Sequence, residues 1–241
     1  MIRSAADVAE LGTILGIWAH PDDEAYLSGG VMAMAGDTGS RVVCVTATRG
    51  ELGTTDPLTW PPQQLADERT AEMARSLEIL GITEHQWLGY QDGQCATVDA
   101  PKAVSEICEV LDRVRPDTVL TFGPDGFTGH PDHQAVGRWA SAAVERIARP
   151  GLRLLQAAVD DRRARRWAVL NDQLGVYYAG FPIVVPEDRL MVDLTLDPDT
   201  AARKVRALAA QQTQTSGLIS ALGVDQYTSW VSEESFAVPP G

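Results

Sequence analysis

The chain has 241 residues, 44% of them hydrophobic, which is enough to bury a core and suits a single domain. Twenty Lys and Arg against 33 Asp and Glu leave a net charge of −13, which speaks against nucleic acid or an anionic membrane as the main partner. No stretch approaches the ~18 consecutive apolar residues of a membrane span, and the first residues, MIRSAADVAELG, lack a signal peptide's apolar centre. Three cysteines, Cys44, Cys95 and Cys108, without Cys-x-x-Cys spacing fit neither a disulfide framework nor a thiolate zinc site. A reducing cytoplasm is the expected compartment.

In chain order, Thr13–Ala19 reads as a buried strand and Ala25–Ala35 as a helix. The pattern repeats: strand Arg41–Thr48, then helix Gln63–Leu80, whose Leu65, Met73, Leu77 and Leu80 keep helical spacing. Helix Lys102–Arg113, strand Asp117–Phe122, helix Gln134–Ala148 and strand Arg153–Val159 follow. Strand alternating with helix predicts an α/β fold with a mostly parallel sheet and helices on both faces. Strand Arg189–Leu196 and a helix from about Pro198 to Gln212 come later. With no linker visible, we expect one domain over 1–241, with 186–241 a C-terminal extension packed on the same body as an active-site cover.

Two segments carry chemistry. IWAHPDDEAYLSGG, Ile17 to Gly30, falls where the first strand ends, and GPDGFTGHPDHQAVG, Gly123 to Gly137, follows a later strand. Both contain His-Pro-Asp, and they hold three of the chain's four histidines. In doubly wound folds ligands sit beyond the carboxyl ends of the strands. Helix capping alone asks for one acid, not three acids and a histidine. If the two strands lie near each other, the loops can assemble a metal site from His20, one acid of Asp22 and Asp23, and one of His130 and His133. A catalytic zinc commonly takes three such ligands and leaves a position for water. The residues left over suit a carboxylate as general base for the water and a histidine that stabilises a developing oxyanion or protonates a leaving group. His20 and Asp23, like His130 and His133, are three apart, a spacing that shares one face of a helical turn.

At these residues the chain resembles the LmbE-like or PIG-L zinc-dependent N-deacetylases, whose hallmarks appear here as AHPDDE (Ala19 to Glu24) and HPDH (His130 to His133). TATRGELG (Thr46 to Gly53), RTAEMARSLEILGI (Arg69 to Ile82) and LGYQDG (Leu88 to Gly93) are similar to further segments of that family, in the same order. The resemblance implies a Rossmann-like three-layer fold. It also implies one zinc per chain on His20, Asp23 and His133, with Asp22 as general base, His130 assisting the intermediate and leaving amine, and Asp132 orienting a histidine. Glu51, Arg69 and Asp92 resemble residues that grip sugar hydroxyls in the mycothiol-pathway deacetylases. The implied partner is a small N-acetylated aminosugar conjugate. The chain departs from the family at Thr128, where a tyrosine is usual, and at Gln211, where a histidine is usual.

Simpler readings stand beside these. Arg49 is either a substrate contact or half of a surface ion pair, Arg69 with Glu72 either a substrate contact or a solvated pair, and Asp92 either functional or a turn former. His85 reads as a surface or helix-end histidine. The run RRARR, Arg162 to Arg166, reads as a solvated or locally paired helix face rather than a phosphate site. Tyr227, Trp230 and Phe236 read mainly as packing. Iron(II), cobalt or manganese fit the same ligand types as zinc. An amidase of thiol S-conjugates, or a non-catalytic metal- or sugar-binding member of the fold, shares the residues. A nucleotide site would want Gly-x-Gly-x-x-Gly where the acids stand. Self-association is left open.

Overall fold

In a computed structural model, which describes residues 1–54 and 56–239, two of the early apolar runs become strands buried at every position, β1 (Ile14–Trp18) and β2 (Val42–Thr46). The short, half-exposed β3 (Glu84–Trp87) comes next, then the fully buried β4 (Thr118–Phe122) and β5 (Arg153–Ala157), which is buried over its last three residues. These five strands are parallel. Strands buried on both faces need helices above and below the sheet. Those helices are α1 (Asp23–Asp37), α2 (Pro62–Leu80), α3 (Ala100–Val114), α4 (Pro131–Ile147) and α5 (Asp161–Leu174).

The sheet has seven strands in the order β3-β2-β1-β4-β5-β7-β6, where β6 is Leu190–Thr195 and β7 is Glu233–Ala237. After β1 the chain winds outward through β2 and β3, then returns to lay β4 on the other side of β1. The ends of β1 and β4 therefore flank the point where the winding reverses, which is the position of the ligand crevice in open α/β sheets. Gly137 lets α4 start close against the end of β4: a Cβ there would come within 2.8 Å of the Phe122 carbonyl oxygen.

The segment after Pro186 supplies strands as well as helices. β7 runs antiparallel between β5 and β6, so the C-terminal residues complete the sheet. The helix expected over Pro198–Gln212 divides into α6 (Pro198–Ala209) and α7 (Gln212–Leu222), with α8 (Val224–Val231) after it. β7 reads poorly from sequence because two of its five residues are glutamates, yet both are buried. Glu234 reaches Lys204 at 2.6 Å, with both side chains wholly buried, and accepts the Gly30 and Val31 amides of α1. Lys204 Nζ in turn donates to the Tyr26 carbonyl. The pair thus meets the Tyr26 carbonyl and the Gly30 and Val31 amides within α1, where a Cβ on Gly30 would run into Leu196 at 2.5 Å.

His85 also departs from expectation. It lies within edge strand β3 rather than at a helix end, its Nε2 is 3.1 Å from Thr46 Oγ1, and burial pushes its pKa down to about 4.

Candidate active site

The turn after β1 gives each of its three acids a separate job. Asp23, the first residue of α1, folds its carboxylate back so that Oδ2 accepts from the amides of His20 (2.8 Å) and Ala19 (3.2 Å). Glu24 Oε2 accepts from the Asp22 amide at 3.0 Å. Asp22 stands at the N-cap position, yet its side chain makes no capping bond, and its backbone sits at φ 99°. His20 is therefore in the loop, not on a shared helical turn with Asp23; the folded-back carboxylate brings the two together. At the second loop His130 caps α4, its Nδ1 accepting from the Asp132 amide at 3.2 Å, and His133 lies in the first turn.

Hydrogen bonds on the outer nitrogens fix which atoms face inward. His20 Nε2 meets Asp92 Oδ1 at 3.0 Å and Asp132 Oδ2 at 3.3 Å, so it carries a proton and leaves Nδ1 inward. His133 Nδ1 meets the Gly126 carbonyl at 3.1 Å, and an acceptor there puts the proton on Nδ1 and leaves Nε2 inward. The two inward nitrogens are 3.1 Å apart, with Asp23 Oδ1 3.3 Å from His133 Nε2 and Asp23 Oδ2 3.7 Å from His20 Nδ1. Lone pairs so close repel unless a proton or a cation lies among them. A tetrahedral ion with bonds of about 2.0–2.1 Å sets its ligand atoms roughly 3.3 Å apart, close to the separations of His133 Nε2 from His20 Nδ1 and from Asp23 Oδ1, while Asp23 faces His20 with its other oxygen. Among the described residues His130 also comes within 4.8 Å of His20 and His133 by a ligand atom.

The electrostatics follow from burial. Burial drives the His133 pKa well down, aided by the other histidines, and keeps its lone pair free. Burial opposes charge on His20 too, but its bonds to Asp132 and Asp92 win and raise it to about 10. Burial likewise works against the Asp92 charge, and the His20 contact holds it at about 2. Asp22 moves upward, chiefly through burial, with Arg69 pulling against and Asp23 pushing the same way. Burial lowers His130, and with Nδ1 accepting from backbone, the neutral ring carries its proton on Nε2.

Two cavities meet here. A polar cleft of about 310 Å³ holds His20, Arg69, Asp92 and His130, and it shares Asp22, Asp23, His133 and Gln214 with an apolar chamber of about 300 Å³. Arg69 is only 3% exposed and is not paired with Glu72; it donates to the carbonyls of Gly50 and Pro21 and lies 3.3 Å from Asp22 Oδ2. Glu72 instead accepts from the amide and hydroxyl of Thr213. Glu51 stands behind the cleft, accepting the Asp92 amide at 2.9 Å. Asp132 is wholly buried and accepts the amides of Gly93 and Cys95. Arg49 is not brought in: it is exposed, 3.8 Å from Asp67, with its guanidinium over Trp87.

Residues 15–144, more than half the chain, match the family model described as PIG-L, GlcNAc-PI de-N-acetylase. The 1D-myo-inositol 2-acetamido-2-deoxy-alpha-D-glucopyranoside deacetylase of Saccharomonospora viridis is 36% identical over 233 residues, covering 83% of this chain and 84% of its own. The chain belongs to the PIG-L family. Solved structures of the same fold include the N,N'-diacetylchitobiose deacetylase of Pyrococcus horikoshii, with TM-score 0.66 and 21% identity over 98% of this chain and 87% of that one. The zinc-inhibited form of teicoplanin deacetylase Orf2 aligns with TM-score 0.62 and 18% identity over 86% of each chain.

In this PIG-L chain the two departures noted in sequence have structural answers. Gln211 is buried and donates to Glu24 Oε1 (2.9 Å) and Ser76 Oγ (3.2 Å), so it braces the acid that holds the Asp22 amide. Thr128 Oγ1 lies 3.4 Å from His133 Nδ1, and the aromatic ring beside His130 is that of Tyr178, with centroids 5.8 Å apart. Phe122, at the end of β4, stacks on His133 at 4.2 Å. Sequence reasoning missed Glu24 and Gln211 as a brace, because nothing in the spacing joins residues 187 positions apart.

Proposed function

We propose that this PIG-L protein is a metal-dependent N-deacetylase that removes the acetyl group from an N-acetylglucosamine-type amide, with zinc held by His20, Asp23 and His133. The observation that carries the reading is the convergence of two histidine lone pairs and one carboxylate beside a second acid, Asp22, whose carboxylate meets only Arg69 among the described residues. The activities named for the relatives, deacetylation of an acetamido-glucopyranoside of inositol and of diacetylchitobiose, support the substrate class.

When bound, the ion supplies a Lewis acid for the amide carbonyl and lowers the pKa of a water toward about 7. Asp22 accepts a proton from the attacking water, a task for which its upward-shifted pKa suits it near neutral pH. A bond forms from the water oxygen to the carbonyl carbon, and the carbonyl π pair moves onto oxygen. Collapse breaks the C–N bond as Asp22 returns the proton it took to the departing nitrogen, with the neutral His130 donating a hydrogen bond from Nε2 to the intermediate and the leaving amine; acetic acid, which ionises to acetate, and a free amine result. Asp132 and Asp92 keep His20 in the tautomer that presents Nδ1. Arg69 holds the Pro21–Asp22 turn and faces the cleft where the sugar is to lie.

The test is acetate release by zinc-loaded protein from free, inositol-linked and malate-linked N-acetylglucosamine and from diacetylchitobiose. Asp22→Asn is expected to keep one ion per chain and lose roughly 10²- to 10⁴-fold in kcat, whereas Asp23→Ala loses the ion. The reverse pattern exchanges the two roles. No release from protein that still holds an ion overturns the acetylaminosugar assignment and moves weight to the S-conjugate amidase or a non-catalytic member.

A further inference from the structure

The apolar chamber is left unexplained by a sugar deacetylation. It meets the reaction centre at Asp22, Asp23 and His133, and its walls include Phe127, Trp167, Leu174, Tyr177, Leu218 and Trp230. An acetyl methyl, about the size of a water with its ~30 Å³ share of volume, fills roughly a tenth of its 300 Å³. Beyond Asp22, Asp23 and His133, the walls come mainly from α5, the segment after it, α7 and α8, with Tyr26 and Leu27 of α1 and Phe127 and Thr128 of the second loop completing them.

One cation lines the chamber, Arg163. It belongs to the run Arg162–Arg166, whose other arginines are paired: Arg162 with Asp160, Asp193 and Glu233, Arg165 with Asp161, and Arg166 with Glu233. The Arg163 side chain makes no hydrogen bond or ion pair among the described residues. The carboxylates nearest in charge are already engaged, Asp160 at the α5 N-cap, Glu233 by Trp167 as well as two arginines, and Glu234 by Lys204. Burial presses its pKa downward, the mark of a guanidinium short of water. Tyr177, Glu233, Glu234 and Asp160 offset that burial through charge alone, with no hydrogen bond to the side chain among the described residues, so the donor fork stays free and a planar anion fits it.

We propose that this chamber receives an apolar part of the substrate that ends in an anionic group, carboxylate above all, with Arg163 as the specificity-determining residue. The proposal rests on the deacetylase reading for the amide at the other end of that substrate. The anion-tipped group can hang from the sugar as its aglycone or from the amide as its acyl group. The two sources share one chemistry and differ in which substrate series responds.

Two paired series separate them: para-carboxyphenyl against para-tolyl N-acetylglucosaminide, and glucosamine N-acylated by para-carboxybenzoyl against para-methylbenzoyl. With zinc-loaded protein, kcat/KM is expected to favour the carboxylate member of one series by roughly tenfold or more, mainly through KM. In Arg163→Gln that ratio falls to near one, and Arg163→Lys keeps part of it. The series that responds names the source. Calorimetric titration of the zinc-loaded protein with phenylbutyrate, against phenylbutanol, reads the chamber without turnover. Binding lost in Arg163→Gln supports the chamber even if no amide is cleaved, a result that sinks the deacetylase reading alone. Equal kcat/KM within both series, or phenylbutyrate binding that Arg163→Gln leaves intact, overturns the proposal, the latter placing the carboxylate on the ion.

Discussion

Asp22 is held at φ 99°, a backbone conformation that costs an aspartate free energy and persists only where neighbours enforce it. Glu24 holds its amide, and Arg69 holds the preceding carbonyl and touches its carboxylate. Arg69 also acts on Asp22 electrostatically, because its charge opposes the upward pull of burial on that carboxylate. Asp22 must be ionised to act as base, so activity falls as pH drops through its pKa, and that acid limb is expected above the ordinary carboxylate range. Arg69→Gln removes the opposing charge, and the limb of kcat/KM is expected to move up by about one pH unit or more; Arg69→Lys moves it less. An unmoved limb with a raised KM would return Arg69 to substrate binding alone. The identities of His20, Asp22, Asp23, His130 and His133 could be picked out from two short motifs. The positions of Asp92 and Arg49 could not: Asp92 turned out to bond the back of His20, and Arg49 to lie on the surface.

At the scale of elements, β1, β2 and β4 were legible because strands buried on both faces are continuously apolar. β3 was not, being short and half-exposed at an edge. β7 was hidden by Glu233 and Glu234, whose burial depends on partners far along the chain. Lys204 and Glu234 join α6, β7 and the Tyr26–Val31 stretch of α1. Breaking one partner of a buried pair leaves the other uncompensated, so Lys204→Met is expected to cost about 3–5 kcal/mol in urea unfolding. Lys204→Met with Glu234→Gln should recover part of that loss, whereas a single variant as stable as the parent would show that the backbone contacts alone suffice.

For the whole molecule, the ion is expected to replace a proton. In the metal-free protein the His20 pKa is raised to about 10 by Asp132 and Asp92 against the pull of burial, and it is about 6.5 in the unfolded chain. Its charged form therefore contributes stability that is fully present below pH 6.5 and is lost as pH rises through about 10. Chelated protein should lose Tm across that window more steeply than zinc-loaded protein, whose His20 is already deprotonated, and loading should release a proton, readable by calorimetry in buffers of different ionisation heat. Equal slopes would mean that His20 does not ligate the ion. No described helix is long and apolar enough to cross a membrane.

The sequence alone determined what local pattern can encode: the alternation of apolar runs and helices, and two His-Pro-Asp loops each following a strand. Periodicity and turn chemistry act within a few residues, so they survive in one dimension. Only the tertiary structure decided what depends on groups remote in sequence. The adjacency of β1 and β4 makes two loops one site, the Asp92 and Gly126 contacts choose which histidine nitrogens face inward, and the aromatic walls from α5, α7 and α8 gather around Arg163. The His20 charge and tautomer rest on burial and on contacts as remote as Asp132, 112 residues away, and even the His133 contact to Gly126, within the same loop, depends on how that loop folds.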